Sequence, residues 1–156
     1  MTAEKCRVCD TELEHVFVDL GMSPISNDFV AADRANAMEP FYPLRVYVCH
    51  ECWLVQLPAV QTADSIFRDD YAYFSSMSKS WLAHARRYVD MVTERFEIGT
   101  DQSVVEIASN DGYLLQYFVQ KNIPVLGIEP AKNVAKVAIE KGIPTLTEFF
   151  GEKLAR

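Results

Sequence analysis

All four cysteines of the chain fall in two Cys-x-x-Cys pairs, Cys6/Cys9 and Cys49/Cys52. Thiolates are strong zinc ligands, and two such pairs together supply the four sulfur atoms of a closed tetrahedral site. A closed site has no open coordination position, so its role is structural. The segment between the pairs is longer than in common zinc ribbons, but the ligand set still fits. The pattern predicts a structural zinc ion held by these four cysteines.

Other uses of four cysteines are weighed against zinc. Two disulfide bonds are disfavoured, because the chain begins with a polar segment without a signal peptide, which indicates a reducing, cytoplasmic location. A redox-active Cys-x-x-Cys pair is expected to occur once, at the start of a helix beside a βαβ unit. The sequence shows no such arrangement. An iron–sulfur cluster uses the same ligand type and stays open as an alternative. His50, beside Cys49, is interpreted as a bystander.

A second pattern with chemical meaning is the segment Val104–Gly112, with the sequence VVEIASNDG. Nucleotide-binding α/β folds place a tight loop between their first strand and first helix, where a cofactor approaches the backbone. Of the usual three glycines only Gly112 is present, with Ala108 and Asn110 at the other two positions. Asn tolerates left-handed backbone better than most residues, so a sharp turn is still expected.

An acidic residue, Glu129, ends the next apolar run, PVLGIEP. In this position a carboxylate can accept hydrogen bonds from the ribose hydroxyls of a nucleoside. The alternative is that Glu129 only faces solvent at the end of a strand. Loop, strand and acid together predict a nucleoside cofactor. They leave NAD and SAM as alternatives.

The composition of the chain changes near residue 75. Before it, short strands are predicted at Leu44–Val48 and Trp53–Leu57, with so few apolar residues that the segment needs a metal to hold it together. After it, a helix is expected from Ser76 or Ser78 to Gly99. Its apolar stripe is Trp81, Ala85, Tyr88, Val92 and Phe96. Of these, Trp81 and Tyr88 are expected in the core, with contact to a cofactor as the alternative.

Strands and helices then alternate. The predicted elements are a strand at Ser103–Ala108, a helix at Gly112–Lys121, a strand at Pro124–Glu129, a helix at Ala131–Lys141 followed by Gly142, and a strand at Ile143–Thr147. This order predicts a parallel sheet in an α/β, Rossmann-like domain. A doubly wound sheet has about twice as many elements, so the domain is interpreted as truncated. We expect a zinc-binding module at 1–75, a connecting helix at 76–99 and a partial SAM-binding domain at 100–156.

Charge and hydropathy exclude two classes of partner. With 15 basic and 22 acidic residues the net charge is −7, and no basic cluster is present, so nucleic acid is not expected as a partner. No apolar run approaches the ~20 residues that span a membrane.

The sequence resembles the zinc-binding sugar C-methyltransferases along essentially its whole length. The blocks that carry the resemblance are CRVCD at Cys6, LGMSPISNDF at Leu20, YPLRVYVCHECWLVQL at Tyr42, YAYFSSMSKSWLAHAR at Tyr71, VVEIASNDGYLLQYF at Val104 and VLGIEPAKNVA at Val125. Members of this family use SAM to methylate a nucleotide-linked deoxy keto sugar. The resemblance therefore implies structural zinc, SAM as cofactor and such a sugar as substrate.

The resemblance also implies roles for individual residues. Zinc is bound by Cys6, Cys9, Cys49 and Cys52. The loop around the methionine part of SAM is formed by Glu106, Ala108, Ser109, Asn110, Asp111 and Gly112. The ribose is bound at Glu129, with Pro130 and Ala131 beside it. An aromatic segment near cofactor and sugar contains Tyr71, Tyr73, Ser75 and Ser76, with interdomain packing as its alternative role.

Such an enzyme removes a proton next to a ketone, and the resulting enolate attacks the SAM methyl group. The reaction needs a base and a donor for the developing oxyanion. Tyr71 or Tyr73 is expected to contribute as donor. The family's base lies in a late Tyr-His-Glu-His segment that this chain lacks, and His15, His50 and His84 do not match it. The chain is therefore expected to be inactive alone; a zinc-dependent protein-binding module and an NAD-dependent oxidoreductase fragment are the alternative functions.

Overall fold

The computed structural model describes residues 4–156, which form two compact units. The first unit ends at Ile66 and the second covers Phe67–Arg156. The structure thus places residues 67–75 with the second unit, to which Tyr71 and Ser75 are hydrogen-bonded. Among the described residues, no helix is both long enough and apolar enough to cross a membrane.

The first unit is built on an antiparallel sheet of three strands in the order β1-β2-β3. The strands are β1 (His15–Ser23), β2 (Tyr42–Val48) and β3 (Val55–Gln56). A 3-10 turn at Ala32–Arg34 and the short helix α1 (Ala63–Ile66) complete it. The strands β2 and β3 confirm the two predicted ones, although with different bounds, whereas β1 was not predicted.

The core of the first unit is small and is organised around sulfur. Its buried members are Cys6, Leu13 and Cys49, against which Tyr47 and Leu54 pack. Two of these three buried residues are cysteines, so little apolar area is removed from water. A core of this size supports the expectation that a metal ion stabilises the unit.

The second unit contains a parallel sheet of three strands in the order β4-β5-β6. After a 3-10 turn at Ser75–Met77, its elements are α2 (Lys79–Arg95), β4 (Val104–Ile107), α3 (Leu115–Val119), β5 (Val125–Ile128), α4 (Lys132–Glu140), β6 (Thr145–Leu146) and α5 (Glu152–Ala155). Both strand pairs are parallel. The predicted α/β class and β-α-β-α-β order are confirmed.

The helix α2 begins after Ser78, whose hydroxyl accepts a hydrogen bond from the Trp81 amide at 3.3 Å. It ends at Arg95, before the predicted Gly99, because Glu97 already has a left-handed φ of 52°. The expected core position of Trp81 and Tyr88 is wrong, since they are 42% and 46% exposed.

The buried stripe of this helix is Ala85, Val89 and Val92, so the core-facing side is rotated away from the two aromatic residues. Trp81 instead stacks on His84 and Tyr113, with ring centroids 5.2 and 5.9 Å away.

Gly112 is the one glycine of the cofactor loop, and the packing requires it. Its φ is +75°, and a Cβ placed there would lie 2.3 Å from Cδ1 of the buried Ile143. Its amide donates to the Ser109 carbonyl at 3.1 Å, which closes the turn. Gly142, with a φ of +80°, follows α4 as predicted, but a Cβ there would meet nothing within 4 Å. Only Gly112 therefore has both a conformational and a steric reason to be glycine.

Candidate zinc centre and cofactor loop

The four cysteine sulfurs converge on one point in the first unit. All four Sγ atoms lie within 4.8 Å of one another. The Sγ atoms of Cys6 and Cys52 are 3.5 Å apart, as are those of Cys9 and Cys49. A tetrahedral zinc site with bonds of about 2.3 Å separates its sulfurs by about 3.8 Å, so the cluster fits a single zinc ion. All four thiols are free, so the cluster contains no disulfide.

The two Cys-x-x-Cys segments fold into the same turn. In the first, the Cys6 amide donates to the Thr11 carbonyl at 2.8 Å and the Asp10 amide to the Cys6 carbonyl at 2.9 Å. The second repeats both bonds from Cys49 to Leu54 and from Trp53 to Cys49, each at 3.0 Å. The residue after each motif, Asp10 or Trp53, has a left-handed φ of 58° or 62°.

Hydrogen bonds to sulfur favour the thiolate form before any metal is considered. Those from the backbone of Val8 and the side chain of Gln56 lower the pKa of Cys6 to about 6. Backbone hydrogen bonds from Cys52 and Glu51 lower the pKa of Cys49. Because only the thiolate ligates metal, these donors favour the ligating form of Cys6 and Cys49. The pKa of Cys52 is instead raised to about 12, because a backbone hydrogen bond from Leu54 is outweighed by burial and by hydrogen bonds with the other three thiols.

Gln56 is a residue of this site that the sequence reasoning missed. Its Nε2 donates to Cys6 Sγ at 3.2 Å, and its Oε1 accepts from the Arg7 amide at 3.1 Å. This buried amide at the end of β3 therefore attaches that strand to the first Cys-x-x-Cys segment. The available signal was a lone amide within the apolar run WLVQL.

In the second unit, the loop after β4 has a left-handed residue at every second position. Ala108, Asn110 and Gly112 have φ values of 59°, 51° and 75°. These are the three positions at which glycine is usual in a nucleotide-binding loop. The backbone therefore adopts the conformation of such a loop, although two of the three residues are not glycine. Left-handed backbone is unfavourable for alanine by about 1–2 kcal/mol, which indicates that the surroundings hold the loop in place.

Glu129 fixes the loop from the end of β5. Its side chain is buried, its Oε2 accepts from the Asn110 amide at 3.0 Å, and its Oε1 accepts from the Ala131 amide at 2.9 Å. The alternative of a solvent-facing strand end is excluded by the 4% exposure of this residue. Each carboxylate oxygen retains a second lone pair, so ribose hydroxyls remain possible partners.

The side chain of Asn110 attaches the predicted aromatic segment to the loop. Its Oδ1 accepts from the Ser75 amide at 2.8 Å, and its Nδ2 donates to the Tyr73 carbonyl at 3.2 Å. Ser75 is buried, whereas Tyr73 is half-exposed. The structure therefore brings together two groups of residues that lie 35 positions apart in the sequence.

Lys141 makes a second attachment between the same segments and was not singled out from the sequence. Its Nζ donates to Ser76 Oγ at 3.0 Å and to the Asp111 carbonyl at 2.7 Å. Asp111 Oδ2, 3.5 Å from this Nζ, also accepts from the Ser76 amide at 3.3 Å. The side chain of Asp111 is 3% exposed, so the ammonium balances a carboxylate removed from water.

Glu106 lies on β4, and the environment of its carboxyl group is unusual. Burial raises its pKa to about 8, and the charge of Glu129 acts in the same direction, while a hydrogen bond with Tyr113 opposes them. Its Oε2 is buried without a hydrogen-bond partner. A carboxyl group of this kind is a feature of binding and catalytic sites.

The remaining predicted site residues lie in the same unit, in this loop or on other segments. Tyr71 is partly buried, its carbonyl accepts from Asn133 Nδ2 at 2.8 Å, and its ring lies 5.3 Å from that of Phe67. Ser109 and Ala131 are fully buried, Pro130 is partly buried and Ala108 is exposed. Their roles towards a cofactor stay predictions.

Comparison with known proteins agrees with this geometry. Residues 6–67 match the family model described as "Putative zinc binding domain". The chain is 34% identical over 156 residues to C-methyltransferase NovU of Streptomyces niveus. The resemblance to the zinc-binding C-methyltransferases is confirmed. The alignment covers 97% of this chain but only 37% of the C-methyltransferase NovU.

Removing zinc is expected to unfold the first unit and leave the second one folded. The purified chain should contain about one zinc ion per molecule. A chelator should then raise amide hydrogen exchange throughout residues 4–66, because the remaining core is too small, while α2 and the parallel sheet keep their protection. Metal analysis together with exchange mass spectrometry measures both. A chain without zinc, or with iron and sulfide in its place, would contradict the assignment.

Replacing Lys141 by methionine is expected to loosen the segment at Ser75 and Ser76. Methionine keeps an apolar stem but loses the donors to Ser76 and Asp111. Exchange of the Ser76 amide should increase by about tenfold, which corresponds to a hydrogen bond with a charged group. The control is K136M, because Lys136 on α4 is exposed and its ammonium lies 3.9 Å from the exposed carboxylate of Glu140. Equal exchange in the two variants would show that Lys141 does not hold the segment.

Proposed function

We propose that this chain supplies the zinc module and the methionine- and ribose-binding part of a SAM-dependent C-methyltransferase whose substrate is a nucleotide-linked deoxy keto sugar. The observation that carries the proposal is the loop after β4, in which three left-handed residues are fixed by the carboxylate of Glu129. The similarity of the chain to a protein named C-methyltransferase supports the same conclusion. Four free thiols suit a cytoplasmic protein.

The polar groups at the loop suit a cofactor with positive charge. Glu106 Oε2 and Asp111 Oδ1 are buried and have no hydrogen-bond partner. SAM carries an ammonium and a sulfonium, so a buried carboxyl group beside it gains a cationic neighbour and its charged form becomes favourable. NAD is a weaker candidate, because its pyrophosphate adds negative charge next to these carboxyl groups.

SAM, when bound, supplies an electrophilic methyl group. This chain's own residues would shape and orient the site: Glu129 would present oxygens to the ribose, and Tyr71 or Tyr73 would donate a hydrogen bond to the substrate oxyanion. The base that removes the proton is expected in a segment that this chain does not contain. We therefore propose that the chain does not turn over substrate by itself.

A titration with SAM, followed by amide NMR, tests the proposal. Binding should be weak, with a dissociation constant of millimolar order, because only part of the cofactor would be contacted. The shifted amides should be those at residues 106–112, 129–131 and 75–76. NADH should shift them less at equal concentration. Shifts confined to other residues, or stronger binding of NADH, would contradict the proposal.

Replacing Glu106 by glutamine is expected to weaken SAM binding by about tenfold above about pH 8, where the carboxyl group is ionised and one favourable charge interaction is lost. In the wild-type chain, affinity should rise mainly between about pH 7 and about pH 8, because the carboxyl group has a pKa of about 8 and a cationic neighbour that favours its charged form lowers this pKa by about one unit. The glutamine variant should lack this rise. E140Q on the exposed end of α4 is the control, and an identical pH profile in E106Q would contradict the role of Glu106.

A zinc-dependent protein-binding module is the second candidate, and one observation favours it. Large apolar side chains of β1 are exposed, among them Phe17, Leu20 and Met22 at 64%, 63% and 58%. Exposed large apolar side chains of this kind are typical of a surface that another polypeptide covers. The same titration separates the two functions, because a pure binding module would leave the amides of the loop after β4 unshifted by SAM.

A further inference from the structure

Two histidines and a glutamate meet on the first unit, outside the four-cysteine cluster. The metal-ligating atoms of Glu14, His15 and His50 all lie within 4.8 Å of one another. The rings of the two histidines meet edge to face, with centroids 5.5 Å apart and an interplanar angle of 87°. The interpretation of His50 as a bystander therefore has to be reconsidered.

The backbone fixes the positions of these side chains. His15 begins β1 and is paired with Val48 at the end of β2. His50 follows two residues later, within the turn that the hydrogen bonds of Cys49 close at both ends. Because a strand pair and a closed turn carry the ligands, a bound ion would require side-chain rotation rather than refolding of the backbone.

The donor set is chemically distinct from the four thiolates. Imidazole nitrogen suits Zn²⁺, Co²⁺ and Ni²⁺, whereas Ca²⁺ and Mg²⁺ prefer sites made of oxygen alone. Two imidazoles and one carboxylate are a ligand set that leaves a coordination position open. His50 Nδ1 is buried and has no hydrogen-bond partner, an arrangement that is unfavourable unless a further group satisfies it. Its other nitrogen, Nε2, lies 3.8 Å from Oε1 of Glu51.

We propose that Glu14, His15 and His50 form a second metal site for a divalent transition-metal ion, with water completing its coordination. The site is partly exposed, so it exchanges its ion more readily than the closed four-thiolate site. It requires only the fold of the first unit and does not depend on the proposed methyltransferase function.

Cobalt binding to the untagged chain, loaded beforehand with one equivalent of zinc, tests the proposal. Equilibrium dialysis and metal analysis should find one equivalent of cobalt in addition to the zinc. The absorption spectrum should lack the thiolate-to-cobalt charge-transfer band, because the new ligands are nitrogen and oxygen. Cobalt that shows this band and displaces zinc would overturn the proposal, as would the absence of a second equivalent.

Matched variants assign the ligands. H15A and E14Q should weaken cobalt binding at least tenfold and leave zinc at one equivalent, because neither residue adjoins a zinc ligand. H50A should weaken cobalt binding to a similar extent. The control is H84A, which removes the remaining histidine, on α2 in the second unit. Wild-type cobalt affinity in H15A, with zinc retained, would refute the site.

Discussion

The second unit depends on one buried carboxylate that joins the ends of two parallel strands. Glu129 follows β5 and accepts hydrogen bonds from the amide of Asn110, after β4, and from the amide of Ala131, before α4. A carboxylate removed from water is stable only when its charge is satisfied, and backbone amides do this with little loss of conformational entropy. The interaction ties the loop that follows β4 to the start of α4, and thus constrains the shape of that loop.

From this carboxylate the remaining contacts of the loop follow. With the Asn110 amide held by Glu129, the Asn110 side chain is directed to the backbone of Tyr73 and Ser75. Gly112 packs against Ile143 at the other end of the same loop. The left-handed residues between these points are therefore held from both sides. This explains how Ala108 and Asn110 occupy positions where glycine is usual.

The sequence predicted the parts of the molecule that depend on local chemistry. Four cysteines in two pairs specify a zinc site regardless of the loop between them, and alternating apolar runs predicted the parallel sheet. Strand β1 was not predicted, because its apolar side chains are exposed on both faces and show no alternation of burial. Trp81 and Tyr88 were misplaced because the aromatic and aliphatic residues of α2 form neighbouring stripes, of which only the aliphatic one is buried.

The contact of Glu129 with the Asn110 amide and the contacts of Lys141 and Gln56 could not be predicted, since each joins segments that are distant in the sequence. Whether Glu129 organises the loop is tested most directly by E129Q, in which an amide group replaces one oxygen and can no longer accept from both backbone amides. With the parallel sheet still protected, exchange of the Asn110 or Ala131 amide should rise about tenfold or more. If both amides exchange as slowly as in the wild-type chain, the carboxylate does not hold the loop and the account is wrong.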